Sequence, residues 1–189
     1  MSGLEEAGFD APDPRRLTAR LARAKAETVA RAPQVEGALV LGCDSLLELD
    51  GAAHGKPPDA PAAVEQWRRL RGRRALLHTG HHLIDTSHPR QGAGSDAGAV
   101  AGESAPASIG RVETTVIHFG HPTDAEIDAY VATGEPLEVA GAFTIDGRGG
   151  AFVDGIEGNP SNVIGLSVPL FRAMLAALGI SYTDLWAPQ

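Results

Sequence analysis

The sequence has almost no cysteine, few aromatic residues and no long hydrophobic run. Its single cysteine, Cys43, excludes an internal disulfide framework and is typical of a reducing compartment, so we expect a cytoplasmic protein. No apolar stretch reaches the roughly 20 residues of a membrane span, and the N-terminus has no signal-peptide character. Basic residues are also in the minority: 16 Lys and Arg against 24 Asp and Glu give a net charge of −8. That balance disfavours binding to a nucleic acid or to an anionic membrane.

The 189 residues are enough for one domain, and helical and strand patterns alternate along them, which predicts the α/β class. The first helix is predicted over residues 14–31, with Leu17, Leu21, Ala24 and Val29 on one face. Further elements are predicted by apolar periodicity, caps and turns. They are a strand over 38–49 with a hairpin turn at Asp50-Gly51, a helix from Asp59 to Gly72, strands over 75–84 and 112–119, a helix opened by a capping box at Thr123–Glu126, and a last helix from Pro169 to Gly179.

Residues 85–110 differ in composition from the rest of the chain. Gly, Ala, Ser and Pro dominate there, and large apolar side chains are nearly absent. Such a segment buries too little apolar surface to fold by itself, so we expect a flexible, low-complexity insertion loop.

The most informative residues are Asp44 and Lys56. Asp44 follows the apolar run Ala38–Leu41, so the sequence predicts a carboxylate at the carboxyl end of a buried strand, where α/β sheets bind ligands. Lys56 lies between Gly55 and Pro57, an arrangement that aims a point charge at a phosphate. A carboxylate for a metal and a lysine for phosphate are typical of phosphate-ester hydrolysis.

Other reactive side chains are interpreted as structural. Cys43 follows the same apolar run and is expected to be buried rather than nucleophilic. His81 and His82 are adjacent in a strand and point to opposite faces, which argues against a zinc site. The basic run over residues 68–74 surrounds a helix end, where cations are favoured, and indicates a solvated face.

Five sequence blocks together resemble the Maf family of nucleoside triphosphate pyrophosphatases. The blocks are Gly-Cys-Asp-Ser at 42–45, Gly-Lys-Pro at 55–57, Thr-Gly at 79–80, Tyr-Val-Ala-Thr-Gly-Glu-Pro-Leu at 130–137 and Gly-Asn-Pro-Ser-Asn-Val-Ile-Gly-Leu at 158–166. The resemblance covers nearly the whole chain except residues 85–110. It implies one elongated Maf/ITPase-like α/β domain over 1–189, with a mixed twisted sheet, flanking helices and a central cleft, often as a homodimer. The implied reaction is metal-dependent cleavage of a nucleoside triphosphate to a monophosphate and pyrophosphate.

The resemblance also implies roles for individual residues. Glu6 and Asp44 would hold Mg²⁺ or Mn²⁺, which prefer hard oxygen ligands, although Glu5 is an equal candidate for the first position. Asp44 would act as metal ligand, general base or both, and Lys56 would offset the charge of the leaving pyrophosphate. Arg73 matches a basic position of the family and is a candidate phosphate ligand.

Two of these blocks, together with the segment that contains Asp146, supply candidate substrate-binding residues. Thr79 belongs to the Thr-Gly block, and Ser161 and Asn162 match the closing block, either capping a turn near the cleft or lining it. Asp146 occupies the place where the branch of the family that cleaves dTTP and UTP carries Gln. An ionised Asp only accepts hydrogen bonds, so it suits the N1–H and N2–H₂ donors of a guanine better than a pyrimidine edge. The position therefore favours a purine or a modified guanine, and the substrate could be a non-standard or modified nucleotide. The alternative for Asp146 is an Asp-Gly turn residue.

One departure from the family pattern concerns the start of the chain. Family members begin with a Ser-x-Ser-Pro-Arg-Arg segment that contacts the triphosphate, and no counterpart precedes Glu5 and Glu6. Arg15 and Arg16 lack the serines and are interpreted as a solvated helix start. We therefore expect the chain starting at Met1 to be nearly inactive and an upstream extension to restore turnover. The alternative function is a catalytically impaired module that binds nucleotides or another protein.

Overall fold

The structure, a computed structural model, describes residues 13–89 and 106–186. Five α-helices and five β-strands are present in these ranges, with short 3₁₀ turns between them. In chain order they are α1 (Pro14–Ala30), β1 (Leu39–Leu49), β2 (Ala52–His54), α2 (Ala60–Leu70), β3 (Arg74–Pro89), β4 (Pro106–Phe119), α3 (Asp124–Ala132), β5 (Val153–Glu157), α4 (Pro160–Val163) and α5 (Val168–Ala177). None of the described helices combines the length and the apolar character needed to cross a membrane.

The strands form one sheet in the order β2-β1-β3-β4-β5, flanked by helices, which confirms the predicted α/β class. Every pairing between the described strands is antiparallel, although a mixed sheet was expected. Asp44 lies in the middle of β1, directly opposite Gly80 of β3, so its predicted place at a strand end is wrong. Strand β1 continues through Asp44 although this residue is charged, because Lys25 of α1 forms an ion pair with its carboxylate.

The β1–β2 hairpin confirms the turn predicted at Asp50-Gly51. Both residues have positive φ angles, 55° and 76°. This combination defines the type I′ turn that matches the twist of two-residue hairpins, and Asp-Gly adopts it with little strain.

The predicted loop over residues 85–110 is wrong at both ends. β3 continues to Pro89 and β4 begins at Pro106, with Asp85 opposite Ala107 across the ladder. Thr86 also exchanges hydrogen bonds with Ala38, at 3.0 Å for the Thr86 amide and 2.9 Å for the Ala38 amide. Neighbouring strands are joined by hydrogen bonds between backbone groups, which do not require large apolar side chains. The prediction from amino-acid composition therefore missed these two strand ends. Residues 90–105 lie outside the described residues.

Helix α1 packs unusually close to the centre of the sheet, over two glycines. A Cβ atom placed on Gly42 would lie 2.3 Å from the carbonyl oxygen of Ala22, and one on Gly80 would lie 2.3 Å from that of Thr18. The sequence therefore needs glycine in the Gly-Cys-Asp-Ser and Thr-Gly blocks so that helix and sheet backbones meet.

This contact changes the buried face of α1 from the one predicted. The fully buried side chains belong mainly to small residues, whereas Val29, predicted to face the core, is 42% exposed. The periodicity analysis favoured large apolar residues, but a helix this close to a sheet accommodates small ones. The buried residues are Pro14, Thr18, Leu21, Ala22 and Ala26.

The main core lies on the opposite face of the sheet, around Trp67 of α2. Its ring is fully buried and makes edge-to-face contacts with Phe119, Tyr130 and Phe152 at centroid distances of 5.4 to 5.6 Å. The indole Nε1 donates to the carbonyl oxygen of Ala142 at 2.8 Å. The helices that carry this core begin where the sequence predicts, since Asp59 caps α2 and Thr123 forms a capping box with Glu126.

His81 of β3 is buried and held in its neutral form. Its Nε2 accepts a hydrogen bond from the Ser167 amide at 2.9 Å, so the proton is on Nδ1, which donates to the Thr79 carbonyl oxygen at 3.0 Å. Burial lowers the pKa of His81 below its ordinary value of 6.5. The unfolded chain therefore binds the proton more readily, and His81 makes the fold less stable as the pH falls below about 6.5.

We expect His81→Gln to flatten the pH dependence of the free energy of unfolding between pH 6.5 and 5, because glutamine does not titrate. The slope should decrease by up to about 1.4 kcal/mol per pH unit, the value for one proton. It should not vanish, since burial also lowers the pKa values of His82 and His54. Urea titrations across this pH range measure the slope, and equal slopes for parent and variant would contradict the assignment.

Candidate active site

A cleft of about 420 Å³ opens beside the middle of β1. Its volume falls in the range of small-molecule binding sites. It brings together parts of three of the five sequence blocks that resemble the Maf family, including both Asp44 and Lys56. The lining residues come from α1, β1, β3, the turn after β2, the segment after α3 and the end of α4: Lys25, Cys43, Asp44, Ser45, Gly55, Lys56, Leu77, Glu138, Val139, Ala140, Phe143, Thr144, Val163, Ile164 and Gly165.

Asp44 is held at the cleft wall by Lys25. The Asp44 carboxylate is only 7% exposed, and its Oδ1 accepts a hydrogen bond from Lys25 Nζ. Lys25 lies one turn after Leu21 and Ala22, on the face of α1 that packs on the sheet. This partly buried ion pair places a carboxylate beside a cation inside the cleft.

Sequence reasoning missed Lys25, although a signal was present. The chain contains 14 arginines but only two lysines, Lys25 and Lys56. Both line the cleft. Arginine is the cation used elsewhere in this sequence, so the two lysines stood out as positions where the compact ammonium group differs from the rest of the chain.

Lys56 lies at the rim of the cleft, in the turn after β2. Pro57 behind it is buried, and the carbonyl oxygen of Gly55 accepts a hydrogen bond from the Gly141 amide at 3.0 Å. The Lys56 side chain is 62% exposed, and its Nζ lies 3.9 Å from Glu138 Oε2. The backbone of this turn is therefore fixed while the ammonium group stays solvated and able to meet a ligand.

Three predicted substrate-binding residues support the cleft without lining it. Thr79 Oγ1 donates to the carbonyl oxygen of Asn162 at 3.0 Å and lies 2.9 Å from Ser45 Oγ. Asn162, fully buried, donates through Nδ2 to Thr115 Oγ1 at 3.0 Å. Ser161 Oγ accepts from the Val168 amide at 3.0 Å. These bonds fix the end of α4, which carries the lining residues at 163–165.

The structure does not bring Arg73 to the cleft. The antiparallel register places the start of β3 beside the β1–β2 turn, and there the Arg73 guanidinium pairs with both carboxylate oxygens of Asp50. Its hydrogen bond lowers the pKa of Asp50 below the ordinary range. Arg73 is thus engaged at the far end of β1, about five residues along the strand from Asp44.

Asp146 lies next to the cleft rather than in its wall. It is exposed, and its Oδ1 accepts a hydrogen bond from the hydroxyl of Thr144, which does line the cleft. The remaining predicted site residue, Glu6, lies outside the described residues.

The oxygen donors of the cleft suit a cation that takes most of its ligands from elsewhere. Asp44 and Glu138 are the carboxylates that line it, and Ser45 adds a hydroxyl. Within residues 13–89 and 106–186, no group of three or more His, Cys, Asp or Glu side chains is arranged to hold a metal. Mg²⁺ commonly binds through one or two carboxylates and completes its shell with water and substrate phosphates, so this donor set fits it.

Cys43 also lines the cleft, but its thiol is not activated. Burial, with a smaller contribution from the neighbouring Asp44 carboxylate, raises the pKa of Cys43 to about 11. The thiol is therefore protonated at neutral pH, and nucleophilic catalysis requires the thiolate.

Comparison with known proteins identifies the class to which this fold and cleft belong. The family model described as Maf-like protein matches residues 2–178, so the chain belongs to the Maf family. A relative in Streptomyces coelicolor, described as a nucleoside triphosphate pyrophosphatase, is 53% identical over 188 residues, covering all of this chain and 83% of the relative. Relatives with the same description occur in Streptomyces avermitilis, 50% identical over all of this chain and 84% of the relative, and in Salinispora tropica, 46% identical over 99% of this chain and 76% of the relative.

Proposed function

We propose that this chain hydrolyses nucleoside triphosphates to nucleoside monophosphates and pyrophosphate in the cleft beside β1. The observation that carries the proposal is the meeting of Asp44, Lys25 and Lys56 in that one cleft. The description shared by relatives up to 53% identical supports the same reaction. The predicted cytoplasmic location and homodimer stay predictions.

In the proposed mechanism, Asp44 acts on the attacking water. Its carboxylate lies at the cleft wall, and the Lys25 ammonium group holds one of its oxygens in place. In this scheme the carboxylate accepts the proton of a water that attacks the α-phosphorus. The attack forms a phosphorus–oxygen bond and breaks the bond to the bridging oxygen, which leaves with pyrophosphate.

Lys56 meets the leaving group. Its solvated ammonium group, on a fixed turn at the rim, is suited to the charge that develops on the departing pyrophosphate. To reach the phosphates it exchanges Glu138 for a phosphate oxygen, a small cost because exposed ion pairs contribute little.

A divalent cation, Mg²⁺ or Mn²⁺, is the cofactor we propose, with Asp44 as its protein ligand in the described cleft. When bound, such a cation neutralises charge on the α-phosphate. The assignment of Glu6 as a further ligand stays a prediction.

We also propose that the nucleobase lies toward Thr144 and Asp146. The Asp146 carboxylate only accepts hydrogen bonds, so it favours a base edge that presents two donors, as guanine does. Its hydrogen bond with Thr144 connects it to the cleft wall. This preference distinguishes the chain from family members that carry Gln at this place and cleave dTTP and UTP.

The experiment that tests the function is a pyrophosphate-release assay with ATP, GTP, CTP, UTP and dTTP, with Mg²⁺ or Mn²⁺ and after chelation. We expect Lys56→Ala to reduce kcat/KM by about 30- to 1,000-fold, corresponding to about 2–4 kcal/mol for one electrostatic donor. Arg31→Ala, which removes a 76% exposed cation at the end of α1, is the matched control and should leave kcat/KM unchanged. No pyrophosphate release by the parent chain, or equal rates for parent and Lys56→Ala, would contradict the proposal.

A further inference from the structure

Glu135 holds together two segments that form one side of the cleft. It lies at the start of a 3₁₀ turn, Glu135–Glu138, and its side chain is 19% exposed. Its Oε1 accepts hydrogen bonds from the Tyr130 hydroxyl at 2.9 Å and from the Gly149 amide at 3.0 Å. Its Oε2 accepts from the Arg148 amide at 3.1 Å. One carboxylate thus bonds to α3 on one side and to the loop 144–149 on the other.

Two glycines allow the loop to approach this carboxylate and its tyrosine partner closely. A Cβ atom on Gly147 would lie 2.6 Å from Glu135 Oε1, and one on Gly149 would lie 2.4 Å from the Tyr130 hydroxyl. Real Cβ atoms do not approach other atoms so closely, so a side chain at either position would displace the Glu135 carboxylate or the Tyr130 hydroxyl.

The charge states of the network are also fixed. Burial alone would raise the pKa of Glu135, but the amides of Gly149 and Arg148 and the Tyr130 hydroxyl hold it below the ordinary range. Burial and the hydrogen bond to Glu135 raise the pKa of Tyr130 well above its ordinary value. At neutral pH the network therefore contains an ionised carboxylate and a protonated phenol, each satisfied by the other.

Both segments joined by Glu135 end in the cleft wall. The 3₁₀ turn that Glu135 begins ends at Glu138, which lines the cleft together with Val139. The loop that its carboxylate binds begins at Thr144, which also lines the cleft and donates to Asp146. A displacement of the Glu135 carboxylate would therefore move the polar groups beside which the nucleobase is proposed to lie.

We propose that Glu135 is a positioning residue for nucleobase recognition, which fixes the loop 144–149 so that Thr144 and Asp146 present one set of hydrogen-bonding groups to the base. Glu135 touches no substrate atom in this scheme and acts through the loop. The inference rests on the proposed function, because it assigns the base to this side of the same cleft. Glutamine at position 135 would turn an N–H₂ group toward the Tyr130 hydroxyl or toward one of the amides of Arg148 and Gly149. At least one of these three hydrogen bonds would be lost, so the loop would no longer be held in one conformation.

The test compares Glu135→Gln with Tyr130→Phe and with a matched control, Glu126→Gln. Glu126 also accepts a backbone hydrogen bond through its carboxylate, from Thr123 at 2.7 Å, but it does so in the capping box of α3, away from the cleft. The assay measures kcat and KM for all five nucleoside triphosphates together with the melting temperature. We expect Glu135→Gln to reduce the ratio of kcat/KM between the best and the worst nucleotide by about 10-fold, mainly through KM, because small misplacements of binding groups have effects of this order or larger.

The controls separate positioning from general stability. Tyr130→Phe removes one of the three hydrogen bonds to Glu135 and should reduce the ratio in the same direction by less, which keeps the test decisive if Glu135→Gln does not fold. Glu126→Gln should lower the melting temperature without changing the ratio. An unchanged ratio in Glu135→Gln, or in Tyr130→Phe if that is the variant that folds, would overturn the proposal.

The experiment also distinguishes failure of this inference from failure of the proposed function. If the parent chain releases no pyrophosphate, the proposed function fails, and positioning is tested by calorimetric titration with non-hydrolysable GTP and UTP analogues. A preference for one analogue in the parent that is lost in Glu135→Gln would support positioning. Equal affinity of the parent for both analogues, or the same preference in both proteins, would overturn it.

Discussion

Replacing Asp44 by Asn is expected to abolish pyrophosphate release while leaving the fold intact. The amide keeps the size and shape of the carboxylate, but it lacks the negative charge that attracts a divalent cation and does not accept a proton from water. Loss of a general base alone lowers rates by about 100- to 10,000-fold, and the same substitution would also remove the proposed metal ligand. We therefore expect kcat/KM to fall by at least about 1,000-fold. The fold should survive because Lys25 is 28% exposed and its ammonium group can be solvated once its partner has lost its charge.

The measurement is pyrophosphate release under saturating Mg²⁺, with circular dichroism and the melting temperature recorded for each protein. Asp128→Asn provides the matched control, because Asp128 is an exposed residue of α3 that does not line the cleft. It should keep full activity. If Asp44→Asn retained activity within twofold of the parent, Asp44 would have neither of its proposed roles.

The largest effect on stability is expected from Gly80→Ala. The added Cβ would lie 2.3 Å from the carbonyl oxygen of Thr18, a backbone atom of α1 that cannot rotate away. Helix and strand must then separate along the same line of contact that buries Ala22 and Ala26. Overpacking costs about 1–3 kcal/mol when side chains absorb it. A clash with a backbone atom costs more than one with a side chain. We therefore expect the free energy of unfolding to fall by more than about 3 kcal/mol, a large fraction of the stability of a typical domain.

Gly155→Ala in β5 is the matched control for this substitution. A Cβ on Gly155 would meet only the His118 ring, at 3.9 Å, which is an ordinary van der Waals distance. In urea titrations, the free energy of unfolding of Gly155→Ala should be close to that of the parent, and that of Gly80→Ala should be far lower. If the two variants were equally stable, the close approach of α1 to the sheet would be refuted.

The elements that the sequence predicted correctly depend on interactions within about four residues. The Asp50-Gly51 turn and the capping box of Thr123 are decided by backbone φ angles and by side-chain bonds to neighbouring amides. Asp44 and Lys56, which line one cleft, were selected for a related reason, because each lies in a short block whose residue types suit the proposed chemistry. Their catalytic roles stay predictions.

The errors have a common cause in contacts between distant segments. Val29 was assigned to the core because nothing in α1 indicates that the helix rests on Gly42 and Gly80. The strand ends near residues 85 and 107 depend on pairing with each other, which their composition does not show. Arg73 was a candidate phosphate ligand, and the register of β3 places it beside Asp50 instead of the cleft, so that role stays a prediction. To predict the environment of each of these residues, one must know which segments lie side by side in the fold.

The restriction of lysine to Lys25 and Lys56 makes the cleft a natural place for chemical labelling. Amine-directed reagents that leave arginine untouched have only these two side chains and the terminal amine to react with. Reductive methylation with ¹³C-formaldehyde would introduce two side-chain probes, both inside the cleft and each beside its own carboxylate. Their NMR signals would report occupancy of the cleft directly, without a reaction being turned over and without a substitution anywhere in the chain.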